Sequence, residues 1–354
     1  MLLRAPRPAV LLSRLSRDRS PGLTAGAFFV IVNALLTVNA SPATHSAGGA
    51  SLLGLVGKTP LVELKHFSRG AARIFAKLEW LNPGGSVKDR IALAMIEDAE
   101  GHGLLLPGGT IVEATSGNTG VALAMVAAAR RYRCVIVMPE GYGHVKAKLM
   151  RALGAEVVRT PADALMTGAV ERARQIAAET PGAYVPDQFH NDVNPSTHER
   201  TTGPEIAAAV DGPIHAWVAG VGTTGTFIGV ARFLGPRHPG LLRVAVEPQG
   251  SILGGGPPGP HEVEGIGLSK IWPIFDRSVV DEILEIRDKE AFDTCRQIAR
   301  EEGLVIGGSS GAAAAAALRI AERLGPAKTV VTLFTDGAER YPDQGILAAS
   351  RPKG

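Results

Sequence analysis

The stretch AWVAGVGTTGTFIGVARFL, residues Ala216–Leu234, decides the fold class. An apolar run rich in β-branched residues leads into a glycine-rich turn, which leads directly into an apolar helical pattern. Gly220–Gly225 satisfies G-x-G-x-x-G, a turn that presents backbone N–H groups to a phosphate at a helix N-terminus. Glu247 ends the next apolar run, where a ribose-binding carboxylate would lie. The turn predicts a phosphate site, for a nicotinamide dinucleotide or for a different phosphate.

Similar strands and helices alternate on both sides of this stretch. Continuous apolar strands separated by helices of roughly 10–15 residues are typical of parallel sheets covered on both faces. A chain of 354 residues, 45% of them hydrophobic, is long enough for two such lobes. The predicted strands are Ile111–Ala114, Cys134–Met138, Glu156–Arg159, Ile214–Ala219, Arg243–Val246 and Thr329–Phe334. The predicted helices begin near residues 87, 118, 145, 164, 225, 289 and 312.

Composition excludes several classes of function. The formal net charge is only +3, and no basic stripe with interleaved aromatic residues is present, so a nucleic-acid partner is not expected. Cys134 and Cys295 do not form a C-x-x-C pair and are interpreted as small buried hydrophobic residues. The nine histidines are scattered, and no metal site is predicted.

Residues 1–49 are treated as a leader or an extension outside the core. Several arginines precede an apolar run that ends in Val38-Asn39-Ala40, which is the outline of a signal peptide. A transit peptide and a non-native upstream extension are the alternatives. The run is short for a membrane span, so no stable span is expected. A cytoplasmic location is expected unless this segment is an organellar or secretory targeting sequence.

Lys88 is the first candidate catalytic residue. In LNPGGSVKDR, residues 81–90, the Pro-Gly-Gly turn is followed by Ser86 as a helix cap, which places Lys88 in the first helical turn. The helix dipole and burial both lower the pKa of an amine at that place. A lysine with a lowered pKa is a Schiff-base nucleophile. The alternative is a surface lysine that pairs with an acid along the helix.

A second turn, EATSGNTG at residues 113–120, is rich in hydroxyl groups. Thr115, Ser116, Asn118 and Thr119 stand between a predicted strand and the start of a helix. Together with free backbone N–H groups they form a cradle suited to a carboxylate. Simple capping by one side chain is the alternative.

In the third turn the threonines between and after the glycines favour a compact terminal phosphate over a dinucleotide. Thr223, Thr224 and Thr226 offer three hydroxyls to a group with several oxygens to satisfy. A dinucleotide-binding turn normally opens the first βαβ unit, whereas this one comes late in the chain.

Taken together, five segments resemble the cysteine synthase/cystathionine β-synthase family of pyridoxal-phosphate enzymes. The resemblance spans roughly Leu52 to Tyr341 and rests on NPGGSVKDR, EATSGNTG, GVGTTGT, GGGPPGPHEVEGIG and GGSSGAA in this order. It implies an α/β protein of fold-type II with two lobes, each a mostly parallel twisted sheet flanked by helices. The active site would lie in the cleft between the lobes, and the protein would be a homodimer.

The resemblance also implies a division of the chain and a role for each site residue. Residues 50–190 would form the smaller, mobile lobe that binds the substrate carboxylate, with an early segment able to cross to the other lobe. Residues 191–354 would form the larger lobe that binds the cofactor phosphate. Lys88 would bond covalently to pyridoxal 5'-phosphate, and Asn118 would bind its ring oxygen. The phosphate would be held by Gly222, Thr223, Thr224, Gly225 and Thr226. The substrate would be bound by Thr115, Ser116, Thr119, Gln188 and Gly265.

Two departures from the family pattern leave alternatives open. Asp336 stands where many members have a neutral Ser or Thr beside the pyridine nitrogen, and a carboxylate there would keep that nitrogen protonated. Alternatively, Asp336 only begins an Asp-Gly turn, and Thr335 reaches the ring. Thr224 stands where many relatives have Gly, a variant similar to B-type cysteine synthases, which accept bulkier sulfur donors.

The implied reaction is β-replacement on a serine-derived amino acid through an α-aminoacrylate. Cysteine synthase chemistry, with O-acetyl-L-serine and sulfide as small-molecule substrates, is the leading hypothesis. Cystathionine β-synthase, with serine and homocysteine, or a specialised β-substituted-alanine synthase are the alternatives. From another class, an NAD-dependent oxidoreductase would use the same Gly220–Gly225 turn together with Glu247.

Overall fold

The computed structural model describes residues 51–346, so the predictions about residues 1–49 lie outside the described part of the chain. Within that range the chain forms ten strands and nine α-helices. The strands are β1 (Leu61–Glu63), β2 (Arg73–Leu78), β3 (Thr110–Ala114), β4 (Arg133–Pro139), β5 (Glu156–Thr160), β6 (Ala183–Tyr184), β7 (Ala216–Gly220), β8 (Leu242–Pro248), β9 (Glu282–Ile286) and β10 (Thr329–Phe334).

The helices alternate with these strands, as the sequence predicts for an α/β protein. They are α1 (Lys88–Gly101), α2 (Asn118–Arg130), α3 (His144–Ala152), α4 (Leu165–Glu179), α5 (Val193–Arg200), α6 (Thr202–Ala209), α7 (Gly225–Leu234), α8 (Asp288–Glu301) and α9 (Gly308–Leu324). Helix α7 and strand β10 have the predicted bounds. Helix α9 begins earlier than predicted because its first turn includes the GGSSGAA motif.

The larger sheet has six strands in the order β1-β2-β10-β7-β8-β9, and only β1 runs antiparallel to its neighbour. In β7, Ala216 and Val218 pack into the core on one face, and Trp217 and Ala219 pack into the core on the other. Because both faces are covered, the strand is a continuous apolar run without polar alternation. This is why its position could be predicted.

The second sheet has four parallel strands in the order β5-β4-β3-β6. Its central strands are also buried on both faces: Ile111 and Ile136 lie in one core cluster, and Val112 and Val135 lie in another. Strand β2, which sequence patterning missed, belongs to the larger sheet although it precedes the smaller sheet in the chain. The predicted fold class, with two mostly parallel sheets flanked by helices, is confirmed.

The topology brings the predicted site segments to the carboxyl ends of parallel strands. The turn at Thr115 follows β3, the turn at Gly222 follows β7, and Thr335 follows β10 directly. The segment with Lys88 follows β2, which runs parallel to β10. In open α/β sheets ligands bind outside these carboxyl ends.

Three further features of residues 51–346 bear on function. No helix in this range is long and apolar enough to cross a membrane. Within the same residues no group of three His, Cys, Asp or Glu side chains is arranged to hold a metal ion. Cys134 and Cys295 are free and buried, and burial raises the pKa of each thiol to about 12.

Candidate active site

Lys88 begins helix α1 and lines a small pocket. The Pro-Gly-Gly turn leads into it, and the N–H of Val87 donates to the carbonyl oxygen of Thr335 at 3.0 Å, which ties the start of the helix to the end of β10. Ser86 was predicted as the helix cap. Val87 instead occupies the capping position, and the hydroxyl of Ser86 accepts only a 3.3 Å hydrogen bond from the N–H of Lys88. Burial lowers the pKa of Lys88, while the charges of Asp336 and Glu79 oppose the shift.

The pocket brings Lys88 together with the glycine- and threonine-rich turn. Its lining residues are Lys88, Ala219, Gly220, Gly222, Thr223, Thr224, Thr226, Phe227, Gly265, Ile266, Leu333 and Thr335. Of the predicted phosphate residues, Gly225 does not line the pocket but is the first residue of α7. Gly265, predicted on the substrate side, lines the same pocket as Lys88.

Thr224 and Gly222 test whether this turn fits a phosphate. Thr224 caps α7 with a left-handed φ of 75°, and its hydroxyl is buried without a hydrogen-bond partner. A Cβ at Gly222 would collide with the carbonyl oxygen of Gly265, so only glycine leaves this space open. An unpartnered hydroxyl, free N–H groups at a helix N-terminus and an open backbone are complementary to a phosphate. The residues present therefore fit the phosphate of pyridoxal 5'-phosphate.

Two buried side chains that sequence analysis missed support the threonines. The Asn194 side-chain N–H donates to the Thr223 hydroxyl at 3.1 Å, and His198 Nε2 lies 3.1 Å from the Thr226 hydroxyl. Burial, together with the nearby charges of Arg90 and Lys88, holds the pKa of His198 well below its usual value, so this imidazole is neutral. Both residues belong to α5, and their separation from the turn in the sequence explains why local patterns gave no signal.

The hydroxyl-rich turn after β3 faces the predicted Gln188. The Thr119 hydroxyl donates to Gln188 Oε1 at 2.7 Å, so the structure brings these two predicted substrate residues into contact. The N–H of Gly117 donates to the Thr115 hydroxyl at 3.2 Å, which shapes the turn that also includes Ser116. Glu113 accepts the N–H of Asp187 at 2.9 Å and holds the backbone just before Gln188.

Asp336 and Thr335, the two candidates for the pyridine nitrogen, have different surroundings. Thr335 lines the pocket, and its hydroxyl lies 2.7 Å from the hydroxyl of Ser309. Asp336 is fully buried, and its Oδ2 accepts hydrogen bonds from Asn118 at 2.6 Å and from the Tyr341 hydroxyl at 2.5 Å. Ser309 lies in the GGSSGAA segment, and its contact with Thr335 was not predicted from the sequence.

Glu247 does not offer a carboxylate to a ribose. It ends β8 as predicted, but its two oxygens accept the backbone N–H groups of Leu253 and Gly254, each at 2.8 Å. Its side chain is only 3% exposed. Both oxygens of the carboxylate that suggested a dinucleotide site are therefore occupied by hydrogen bonds to a backbone loop.

Comparison with known proteins agrees with this geometry. Residues 52–336 match the family model described as "Pyridoxal-phosphate dependent enzyme". The chain is 46% identical over 297 residues to a probable cysteine synthase of Bacillus subtilis, covering 82% of this chain and 96% of that protein. It is also 46% identical over 294 residues to the O-acetylserine dependent cystathionine beta-synthase of the same organism, with 82% and 95% covered.

A solved structure gives the same result at the level of the fold. The O-acetylserine dependent cystathionine beta-synthase of Helicobacter pylori superimposes with a TM-score of 0.81 at 41% identity, covering 85% of this chain and 100% of that one. Family, relatives and fold agree with a lysine that shares one pocket with a glycine- and threonine-rich turn. The chain belongs to the pyridoxal-phosphate-dependent enzyme family, as an enzyme of the cysteine synthase type.

Proposed function

We propose that this enzyme replaces the β-substituent of O-acetyl-L-serine with sulfide, releasing L-cysteine and acetate. The observation that carries the proposal is the placing of Lys88 in one pocket with the glycine- and threonine-rich turn and Thr335. Asn118, in the hydroxyl-rich turn after β3, is hydrogen-bonded to Asp336, the residue that follows Thr335. Bound pyridoxal phosphate supplies an electron sink for the substrate carbon that loses its proton. The similarity to a probable cysteine synthase supports the choice of this reaction.

The protein's own residues divide the remaining work. Lys88 would hold the cofactor through its amine and then move the α-proton, since burial favours its neutral form. The substrate carboxylate would be held by Thr115, Ser116, Thr119 and Gln188, with Gly265 on the amino side. The phosphate would be held by Gly222, Thr223, Thr224, Gly225 and Thr226. Asn118 would bind the ring oxygen.

For the ring nitrogen, the surroundings of the two candidates favour a hydroxyl. Thr335 lines the pocket, and its hydroxyl is paired with that of Ser309. Asp336 is fully buried outside the residues that line the pocket, and its Oδ2 accepts hydrogen bonds from Asn118 and Tyr341. A hydroxyl partner leaves the nitrogen less strongly protonated than a carboxylate would. We therefore assign the nitrogen to the Thr335–Ser309 pair.

A second reaction, formation of cystathionine from homocysteine, would use the same site. It is supported by the equal identity to the O-acetylserine dependent cystathionine beta-synthase and by Thr224 at the variable position of the phosphate turn. The division at residue 190 and the homodimer stay predictions. Light scattering on the purified protein checks the oligomeric state.

One set of assays tests the proposed function. The purified protein should show a yellow cofactor band that borohydride bleaches and that Lys88→Ala lacks. O-acetylserine and serine are then each incubated with sulfide or homocysteine, and products are identified by mass spectrometry. Cysteine from O-acetylserine and sulfide is the expected main product. If cystathionine forms from homocysteine faster than cysteine forms from sulfide, the formation of cystathionine is the main reaction. A colourless protein that binds NAD would refute both reactions.

A further inference from the structure

The Asn118 amide lies between two groups of opposite charge. Its Nδ2 donates to Asp336 Oδ2 at 2.6 Å, and its Oδ1 accepts from Arg340 Nη1 at 2.9 Å. Asp336 is 0% exposed and Arg340 is 8% exposed, so solvent competes little with either bond. Both ends of the amide are held by residues more than 200 positions away in the chain.

These two charges allow only one orientation of the amide. A carboxylate only accepts hydrogen bonds, and a guanidinium only donates them. Rotating the amide by half a turn would set its oxygen against Asp336 and its N–H group against Arg340, so each buried charge would lose one hydrogen bond and face a group of the wrong polarity. Such a mismatch costs more than an ordinary lost hydrogen bond.

Asp336 and Arg340, which together form a clamp on the Asn118 amide, are themselves bonded to the segment that leads to Lys88. Arg340 also donates to the carbonyl oxygen of Gly84, in the turn before Lys88, and Asp336 pairs with Ser86 through an isolated β-bridge. The Tyr341 hydroxyl donates to Asp336 Oδ2 at 2.5 Å. Burial and the charge of Asp336 raise the pKa of Tyr341 well above its usual value, so the phenol keeps its proton.

We propose that Asp336 and Arg340 are positioning residues that hold the Asn118 amide in the one orientation in which it meets the ring oxygen of the cofactor. The proposal rests on the role of Asn118 in the proposed function. It differs from the sequence hypothesis for Asp336, because here the carboxylate acts through Asn118 and not on the pyridine nitrogen. Asp336 and Arg340 then control how the ring is oriented relative to Lys88.

A double-mutant cycle on the holoenzyme tests the coupling. Asp336→Ala, Asn118→Ala and the double variant are compared by the position and pH titration of the cofactor band and by the half-life of the cofactor during dialysis. Asp336→Ala should shorten the half-life about tenfold, the scale of a hydrogen bond to a charged group. In the Asn118→Ala background the same change should add less than about twofold, since the group through which Asp336 acts is absent.

Conservative variants separate positioning from direct contact with the ring. Asp336→Asn keeps an oxygen that accepts from Asn118, so its band and half-life should lie near wild type; a carboxylate that bonds the pyridine nitrogen would lose its effect in this variant as fully as in Asp336→Ala. If Asp336→Ala does not fold, Arg340→Lys tests the hydrogen bond from Arg340 to Asn118 Oδ1 while it keeps the buried positive charge. Asp343→Asn, at an exposed position of the same segment, is the matched control and should change nothing.

Two outcomes would overturn the proposal. One is that the effects of Asp336→Ala and Asn118→Ala are simply multiplicative, and the other is that Asp336→Asn behaves like Asp336→Ala. All readouts are taken without amino-acid substrate, so they do not depend on which β-replacement the enzyme performs. A wild-type protein without a cofactor band would refute the proposed function together with the clamp, whereas multiplicative effects with the band present would refute the clamp alone.

Discussion

Lys146 Nζ lies 2.6 Å from Glu264 Oε2, and this ion pair joins helix α3 to the loop that carries Gly265. The side chain of Lys146 is 2% exposed, and its ammonium also lies 4.1 Å from the centre of the Tyr341 ring. Helix α3 follows β4 of the smaller sheet, while Gly265 lines the pocket beside Lys88. The pair therefore connects the smaller-sheet side of the site to the pocket wall.

Removing this connection should weaken substrate binding more than chemistry. Lys146→Met leaves Glu264, which is 46% exposed, without its partner, and we expect KM for O-acetylserine to rise about three- to tenfold with kcat changed less than twofold. Steady-state kinetics at saturating sulfide measure both constants. Lys148→Met changes an exposed lysine of the same helix and should leave them unchanged. If Lys146→Met and Lys148→Met change KM and kcat to the same extent, the ion pair between Lys146 and Glu264 does not support substrate binding.

Thr224 should show a conflict between stability and cofactor binding. A β-branched residue at a φ of 75° is strained by about 1–3 kcal/mol, and its hydroxyl has no protein partner. Thr224→Gly should therefore stabilise the cofactor-free protein by about 1 kcal/mol and shorten the half-life of the bound cofactor several-fold. Thermal unfolding with and without cofactor measures the two effects.

Thr224→Ala is the control, because it removes the hydroxyl but keeps a Cβ in the strained conformation. It should lose cofactor as Thr224→Gly does, with a smaller gain in the stability of the cofactor-free protein, because the backbone strain remains. If both variants bind cofactor like wild type, the hydroxyl does not contact the phosphate.

A buried ion-pair network behind Lys88 should be necessary for folding stability. Arg90, in the first turn of α1, binds Glu79 and Glu205, each at 2.7 Å. Burial raises the pKa of Glu205, but the hydrogen bonds and charge of Arg90 and the hydrogen bond of Lys77 outweigh this effect and lower the pKa to about 2. Arg90→Met leaves the fully buried Glu79 unpaired and should lower the free energy of unfolding by about 3–5 kcal/mol.

Chemical denaturation measures that loss. Adding Glu79→Gln to Arg90→Met should recover part of it, because the uncompensated charge is removed. Arg133→Met, at an exposed arginine 4.0 Å from Glu156, should change stability by less than about 0.5 kcal/mol. Identical losses for the two arginine variants would show that the buried network contributes nothing specific.

The sequence predicted those parts of the site that depend on neighbouring residues. Lys88 lies in the first turn of α1, and the turn at Gly222 lies between β7 and α7, because turn glycines and apolar periodicity act over a few positions. The strands were predictable because both of their faces are buried. Strand β2 was missed because Arg73 and Lys77 interrupt its apolar run; the structure pairs them with Glu63 and Glu205.

Contacts between distant segments could not be predicted. His198 and Asn194 belong to no motif found in the sequence, yet tertiary packing buries both and brings them into hydrogen-bond distance of Thr226 and Thr223. For Asp336, the family resemblance left two hypotheses open, a partner for the ring nitrogen or the start of an Asp-Gly turn. Its actual hydrogen bonds go to Asn118 and Tyr341, and their geometry depends on how β10 meets α2.

Glu113 should make stability depend on pH. Burial raises its pKa from 4.5 to about 8, partly offset by the hydrogen bond from the N–H of Asp187. The folded protein thus keeps a proton that the unfolded chain releases, so the stabilisation present below pH 4.5 is lost as the pH rises to about 8. Glu113→Gln still accepts the Asp187 N–H and carries no charge at any pH. It should match wild type near pH 4.5 and exceed it above pH 8 by a few kcal/mol, roughly 1.4 kcal/mol for each pH unit of the shift.

Urea unfolding of both proteins at intervals between pH 5 and pH 9 measures this difference. Glu156→Gln, at an exposed position that begins β5, is the matched control and should show no such trend. The carboxyl also holds the backbone before Gln188, where Asp187 has a φ of 47°. Ionisation of Glu113 at high pH should therefore destabilise the backbone next to Gln188, which contacts Thr119. We expect KM for the amino-acid substrate to rise above pH 8 in wild type but not in Glu113→Gln. A stability difference that stays constant from pH 5 to pH 9 would show that this carboxyl is already ionised in the folded protein.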